Sequence, residues 1–137
     1  MFGLYSRQKP FDILIGKTLI DIKVSDDNDE IRFVTDDGDT YLMYHEQDCC
    51  EGVRIEDITG DLQDLIGSPI LKAEEATSGE NPADVNPKTV EWQDSFTWTF
   101  YKLATIKGYV DIRWYGESNG YYSESVDFAL LPKEGEQ

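Results

Sequence analysis

The chain has 137 residues, enough for one hydrophobic core but too few for two typical domains. Its 28 acidic residues outnumber its 12 basic residues and give a net charge of −16 at pH 7. A field of this sign repels nucleic acids and anionic membranes, so neither is expected to bind directly, whereas a basic protein surface would be attracted.

The first half of the chain has the pattern of short antiparallel strands. Residues 18–24 alternate apolar and polar side chains, as a half-buried strand requires. The residues of this strand that we expect to face inward are Ile20, Ile22 and Val24. A hairpin follows over residues 31–44, and its Asp37-Gly38 tip favours a two-residue turn. That register places apolar residues on one face through the pairs Thr35–Thr40, Phe33–Leu42 and Ile31–Tyr44.

The middle of the chain predicts two more strands, over residues 53–58 and 69–77, with a short helix between them. The residues of this helix that face inward are Leu62, Leu65 and Ile66, and Gly67 ends it. Residues 77–92 are rich in Pro, Gly, Asn, Asp and Ser and predict a long loop. The last residues, 132–137, are expected to form a frayed tail.

The second half predicts aromatic strands and a second hairpin. The residues that share one face in each strand are Phe96, Trp98 and Phe100, then Val110, Ile112 and Trp114. A three-residue loop at 118–120, with Gly120 in a left-handed bulge position, would close the hairpin. This register predicts the pairs Ile112–Val126, Val110–Phe128 and Asp111–Asp127, with Arg113 diagonal to the last.

Together these elements predict a mostly β fold at the margin of α+β. We expect an antiparallel meander with hairpins and one short helix, in a single domain over residues 1–137. The sequence leaves open whether the strands form one sheet or two packed sheets.

Negative charge is concentrated in the first half. Between Asp21 and Asp64, acidic residues far outnumber the basic ones, which would steer a basic partner in a salt-dependent way. Near residues 114–122, tyrosine and tryptophan add residue types favoured at recognition surfaces, with Trp114 assigned to the core and Tyr115 to the surface. The residues predicted to bind a partner are Asp36, Asp37, Asp39, Glu46, Asp48 and Glu51, with Glu117 and Tyr121 as a second set.

The only histidine and both cysteines lie within residues 45–51. Structural zinc sites usually combine two ligand clusters, whereas Cys49 and Cys50 are adjacent and have no second cluster, so no metal or other cofactor is predicted. Neighbouring carboxylates would raise the pKa of a cysteine thiol, which disfavours a nucleophile, so no catalytic residue is predicted. A metal- or small-ligand-binding module remains the alternative, with the residues His45, Asp48, Cys49, Cys50 and Glu51.

Two long runs, YHEQDCCEGVRIEDITGDLQDLIGSPIL and SFTWTFYKLATIKGYVDIRWYGESNGYYSESVDF, resemble a small protein family of bacteria and their phages. That family is known as a domain of unknown function, and the resemblance covers residues 16–130 apart from the 77–92 segment. It implies no activity and no functional residues, but it implies a phage or prophage setting. Small acidic phage proteins often bind and block a host protein, which is an analogy of setting rather than of residues.

These observations lead to a hypothesis of function. We expect an accessory protein without catalytic activity that binds and blocks a host protein with a basic surface. A nucleic-acid-handling defence factor is the natural target, because its binding surface already accepts negative charge. The start of the chain lacks the apolar core of a signal peptide, so we expect a cytoplasmic protein, in the host cytoplasm if it is phage-encoded. The oligomeric state is not predicted.

Overall fold

The structure is a computed structural model that describes residues 8–46, 51–78, 95–118 and 124–132. The described chain forms β1 Leu19–Val24, β2 Glu30–Thr35, β3 Thr40–Tyr44, β4 Gly52–Thr59, β5 Lys72–Ser78, β6 Ser95–Thr105, β7 Gly108–Ser118 and β8 Asp127–Leu130. Two 3₁₀ turns, Phe11–Leu14 and Leu62–Leu65, accompany them. The predicted single-domain, mostly β fold is confirmed. Predictions for Asp48, both cysteines, Tyr121, residues 79–92 and residues 133–137 fall outside the described residues.

The strands form two four-stranded antiparallel sheets. Their strand orders are β1-β2-β3-β8 for the first sheet and β4-β7-β6-β5 for the second. One apolar core draws on both sheets and on the two 3₁₀ turns. Its fully buried large side chains include Leu14, Leu19, Ile31, Phe33, Leu65, Ile70, Tyr101, Leu103 and Trp114. Trp114 Nε1–H donates to Met43 Sδ at 3.2 Å and so joins the two sheets in the core.

The sandwich has two different ends. At one end, which we name the crossover end, the chain passes from β3 to β4 and from β7 to β8. Its described residues are 25–29, 45–46, 51–52 and 124–126. At the other end, which we name the hairpin end, the β2–β3 and β6–β7 turns meet the loops before β1 and β5. Its residues are 15–20, 36–39, 66–71 and 106–109.

The first hairpin differs from its predicted register by one residue. Val34 pairs with Thr40, and Thr35 N–H donates to Asp39 O at 2.8 Å. The loop is therefore 36–38, with Gly38 at a φ of +92°, a left-handed conformation that glycine adopts without steric cost. The predicted pairs Thr35–Thr40, Phe33–Leu42 and Ile31–Tyr44 are wrong, because an Asp-Gly tip also suits a three-residue loop that ends in glycine.

The shifted register gives β3 two buried faces. Tyr41 and Met43 point into the main core, opposite Phe33 and Ile31. The residues on the opposite face, Leu42 and Tyr44, pack with Ala129 in a second small cluster. The apolar pattern of the sequence could not distinguish the predicted register from the observed one, because both faces of β3 are apolar enough to be buried.

Strand β1 contains an irregularity that exposes Ile20. Leu19 pairs with Thr35 but Asp21 pairs with Val34, so one extra residue is inserted between these two pairs. The insertion reverses the alternation of inward-facing and outward-facing side chains. Leu19 is therefore buried, and Ile20 is 57% exposed. The inward position predicted for Ile20 is wrong. The residues that do face inward as predicted are Ile22, which is buried, and Val24, which is half-buried against the core.

The predicted second hairpin is wrong, because β7 and β8 belong to different sheets. β7 lies between β4 and β6, whereas β8 pairs with β3. Asp111 therefore lies between Thr59 and Lys102, and Asp127 lies opposite Tyr44. The predicted pairs that do not form are Ile112–Val126, Val110–Phe128 and Asp111–Asp127. The predicted loop lies mostly outside the described residues, which end at Ser118 and resume at Glu124.

The aromatic residues of β6 share a face as predicted, but it is the outer face of the second sheet. The inner face of β6 is formed by Tyr101 and Leu103, which are in the core. On the outer face, Trp98 packs against Tyr115 with ring centroids 4.6 Å apart. Tyr115 is only 4% exposed, so its predicted surface position is wrong. The core positions predicted in β7 are confirmed for Val110, Ile112 and Trp114.

The helical segment between β4 and β5 is confirmed as a single 3₁₀ turn. Asp61 caps it by accepting a hydrogen bond from Gln63 N–H. Leu65 is buried, and Gly67 follows with a φ of +88°. Leu62 and Ile66 are half-buried against the same core, as their spacing predicts.

Candidate functional site

The tip of the first hairpin carries the first three predicted partner-binding acids. Asp36 and Asp37 are exposed and Asp39 is half-buried. Asp36 N–H donates to Thr18 O at 2.9 Å, which ties the tip to the chain entering β1. The Asp37 carboxylate accepts hydrogen bonds from the Thr35 hydroxyl and, at 3.3 Å, from Asp39 N–H. Asp37 therefore organises the turn as well as carrying charge.

The two exposed aspartates of this tip have different environments. The Thr35 hydroxyl lowers the pKa of Asp37, because its hydrogen bond favours the carboxylate; partial burial opposes this, and Lys17 Nζ at 3.3 Å adds to the lowering. The resulting stabilisation is present at neutral pH and is lost as the pH falls through this lowered pKa. Within the described residues, the Asp36 carboxylate forms no hydrogen bond or ion pair and is open to a partner.

The remaining acids of the predicted set lie at the crossover end. Glu46 is half-buried, and its backbone N–H donates to Asp127 Oδ2 at 3.2 Å. Burial raises the pKa of Asp127, and this hydrogen bond opposes the shift. Strand β3 separates Glu46 from Asp39 by roughly 20 Å at the usual rise per residue. The predicted set is therefore divided between the two ends of the sandwich.

Glu51 belongs to the interior rather than to an acidic surface. Its side chain is 0% exposed, and its Oε2 lies 2.9 Å from His45 Nε2. The second ring nitrogen, Nδ1, lies 2.7 Å from Ser125 O, in the segment that leads into β8. The surface position predicted for Glu51 is wrong, because the carboxylate is needed to bond the buried imidazole. His45 and Glu51 instead connect the β3–β4 segment to the segment that leads into β8, and these are the two segments that link the sheets.

These contacts bear on the alternative of a metal site. Both ring nitrogens of His45 already have protein partners, so a metal would have to displace one of them. Among the residues that the structure describes, no group of three or more His, Cys, Asp or Glu side chains is arranged to hold a metal ion. Asp48, Cys49 and Cys50 lie outside those residues, so the alternative stays a prediction there.

The second predicted set is only partly described. Glu117 lies on β7 at the crossover end, opposite Gly52 of β4 and Phe96 of β6, and is half-buried. Tyr121 lies in the segment 119–123, outside the described residues. Glu117 is separated from the tip of the first hairpin by the length of the sandwich.

Two acids outside the predicted partner-binding set have the exposure expected of a contact surface. Asp26 and Asp27 lie in the β1–β2 turn and are exposed. Neither carboxylate forms an ion pair with any described residue. Asp29, in the same turn, is held by the Ser25 hydroxyl at 2.7 Å. The polar composition of this turn was the available signal, since it predicts exposure.

A shallow depression of about 160 Å³ lies on the outer face of the second sheet, over Phe100. Arg113 forms part of its wall, and both Nε and Nη2 of its guanidinium lie 2.6 Å from Glu56 Oε1. The same guanidinium lies 5.3 Å from the centroid of the Trp98 ring. The charge of Arg113 is matched within the protein and acidic side chains also line the depression, which disfavours an anion site there.

Comparison with known proteins places the chain in a family. The family model described as a domain of unknown function, DUF7448, matches residues 12–128. The chain belongs to the DUF7448 family. No curated protein and no solved structure gives a significant match.

The DUF7448 match spans both ends of the sandwich and every predicted partner-binding residue. It confirms the predicted membership of a family of unknown function, while the bacterial or phage origin stays a prediction. In the described part of this DUF7448 domain, no helix is long and apolar enough to cross a membrane. Membership in DUF7448 assigns no activity, so the function has to be argued from the surface.

Proposed function

We propose that the protein is a binding protein without catalytic activity, whose acidic surface occupies a basic surface of another protein. The observation that supports this most is the net charge of −16 on 137 residues. Three exposed aspartates, Asp26, Asp27 and Asp36, form no ion pair within the described chain. Unpaired exposed carboxylates direct their field outward, where it attracts and orients a basic partner.

We also propose a biological setting for this binding. The chain is encoded by a bacterium or a phage and acts in the cytoplasm, where it blocks a host protein. The partner class that best fits is a nucleic-acid-handling protein, because such a surface already attracts phosphates. The resemblance of the two long sequence runs supports the setting, and the charge supports the partner class.

The experiment is capture of a partner from bacterial lysates prepared with and without phage infection. The immobilised full chain is washed at low and then at high salt, and the retained proteins are identified by mass spectrometry. We expect one dominant basic protein that is retained at low salt and released at high salt, since salt shortens the reach of the acidic field.

A variant with three fewer negative charges provides the matched control for this capture. It carries Asp26→Asn, Asp27→Asn and Asp36→Asn, which keep the side-chain shape and remove three charges. A urea midpoint close to that of the wild type verifies that the variant is folded. We expect it to retain less of the captured protein at low salt. An acidic captured protein, or retention that neither salt nor the variant reduces, would contradict the proposed function.

A further inference from the structure

The large apolar side chains that remain exposed are concentrated at the hairpin end. Within the described residues they are Ile15, Ile20, Leu71, Ile106 and Tyr109, and they are between 51% and 79% exposed. One exposed apolar residue is ordinary on a protein surface, but a contiguous group marks a contact site. The crossover end has no exposed side chain of this kind among its described residues.

Backbone hydrogen bonds connect the loops that carry these side chains. Gly16 N–H donates to Ile70 O at 2.8 Å, which places the loop after the first 3₁₀ turn beside the loop before β5. Leu71 N–H donates to Ala104 O at 2.8 Å, and Ala104 pairs with Tyr109 across β6 and β7. The loops that carry the exposed apolar residues therefore lie beside one another at one end of the fold.

The acidic tip of the first hairpin borders this apolar surface. Asp36 N–H donates to Thr18 O at 2.9 Å, and Lys17 Nζ lies 3.3 Å from Asp37 Oδ2. Both contacts hold the tip against the 15–20 loop, which carries two of the exposed isoleucines. An apolar centre with a charged border is the usual composition of a protein interface.

We infer that the hairpin end is the docking surface, and that its occupant is a partner protein with an apolar patch bordered by basic side chains. The inference rests on the proposed function and names the place and the chemistry of the contact. Apolar burial supplies part of the affinity, while Asp36 and Asp37 orient the partner and supply the part that salt weakens. A second copy of the chain and an anionic membrane would both be repelled by the net charge of −16 that the whole chain carries.

The test uses a defined probe, a short peptide of alternating leucine and lysine, which combines apolar and basic side chains. It is titrated into the isotope-labelled full chain while the backbone amide resonances are followed by NMR. The expected result is a set of chemical-shift changes at residues 15–20, 36–39, 69–71 and 106–109. The 25–29 turn at the crossover end should stay unchanged. Absence of binding, or binding centred on the 25–29 turn, would overturn the inference.

One set of variants tests the apolar part of the surface. The double variant Leu71→Ser with Ile106→Ser removes exposed apolar area and should weaken peptide binding by roughly tenfold. The conservative variant Ile106→Leu keeps that area and should bind like the wild type. Both positions are more than half exposed, so the fold should persist, and urea midpoints check this. Unchanged affinity of the folded double variant would overturn the inference.

The chain offers a matched control for the charged part. Asp26-Asp27 and Asp36-Asp37 lie in the two turns at opposite ends of β2. The change of both Asp36 and Asp37 to Asn keeps the oxygen that organises the tip and should weaken peptide binding several-fold at low salt. The same change at Asp26 and Asp27 removes equal charge from the crossover end, so it reports the long-range field alone and should weaken binding clearly less than the change at the hairpin tip.

The outcomes separate this inference from the proposed function. Equal loss from the two aspartate pairs, with the lysate partner still released by salt, would overturn the docking surface and leave charge-driven binding intact. A lysate partner that salt does not release would instead overturn the proposed function. Self-association, or binding to phosphatidylcholine vesicles, that disappears in the Leu71→Ser, Ile106→Ser variant would assign the surface to another occupant and overturn the inference.

Discussion

At the scale of single residues, the hydrogen bonds of His45 place one ring proton and require a second proton in the contact with Glu51. Ser125 O can only accept, so the Nδ1 atom 2.7 Å from it carries a hydrogen. The contact of 2.9 Å between Nε2 and Glu51 Oε2 needs one further proton, on either the ring or the carboxyl group. This shared proton bonds two side chains that are at most 4% exposed, at the point where the chain passes between the sheets.

Substitution of Glu51 should reveal how much this pair stabilises the fold. Glu51→Ala leaves a buried imidazole nitrogen without a partner and should lower the free energy of unfolding by about 3 kcal/mol. Glu51→Gln can donate its amide N–H to Nε2 and should lower it by only about 1 kcal/mol. Urea denaturation at neutral pH measures both values. Equal losses in the two variants would mean that the bond to His45 contributes little beyond packing.

At the scale of single elements, the three-residue loop of the first hairpin requires a left-handed residue at position 38. A Cβ added to Gly38 would meet no atom within 4 Å, so a substitution there tests backbone conformation alone. Gly38→Ala should destabilise the fold by about 1 kcal/mol, and Gly38→Asn by less, because asparagine enters this conformation more readily. Urea midpoints of the three proteins provide the comparison. A Gly38→Ala variant with the same urea midpoint as the wild type would contradict a left-handed conformation at position 38.

The elements also mark where sequence reasoning succeeded and where it ended. Apolar alternation identified the strands, and local signals such as Gly67 identified the turn that precedes β5, because both depend on residues close in the chain. Strand partners depend on distant residues: Phe128 satisfies the alternation equally well beside β7, as predicted, or beside β3, as found. The exposure of Ile20 depends on one inserted residue, which no alternation pattern reveals in advance.

At the scale of the whole molecule, the same limit applies to the candidate site. The acids predicted to bind a partner do not share one surface, because β3 places Asp39 and Glu46 at opposite ends and Glu51 is buried in the interior. The apolar part of the hairpin end was not predicted, because Leu71 and Ile106 have the composition of core residues. Their exposure follows only from the way in which the two sheets close over the core, which is a property of the complete fold.

The whole-molecule charge leads to a last prediction, in which salt has opposite effects on folding and on binding. A net charge of −16 makes the folded chain repel itself, and the described ion pairs are few and mostly at the surface. Sodium chloride at ~0.15 M reduces the screening length to about 8 Å, which should raise the urea midpoint and weaken partner binding. Urea is required for this measurement because guanidinium chloride is itself a salt. A urea midpoint that falls with added salt would show that attraction between charges outweighs repulsion in the folded chain. The acidic side chains would then be paired largely within the molecule and would attract a partner only weakly.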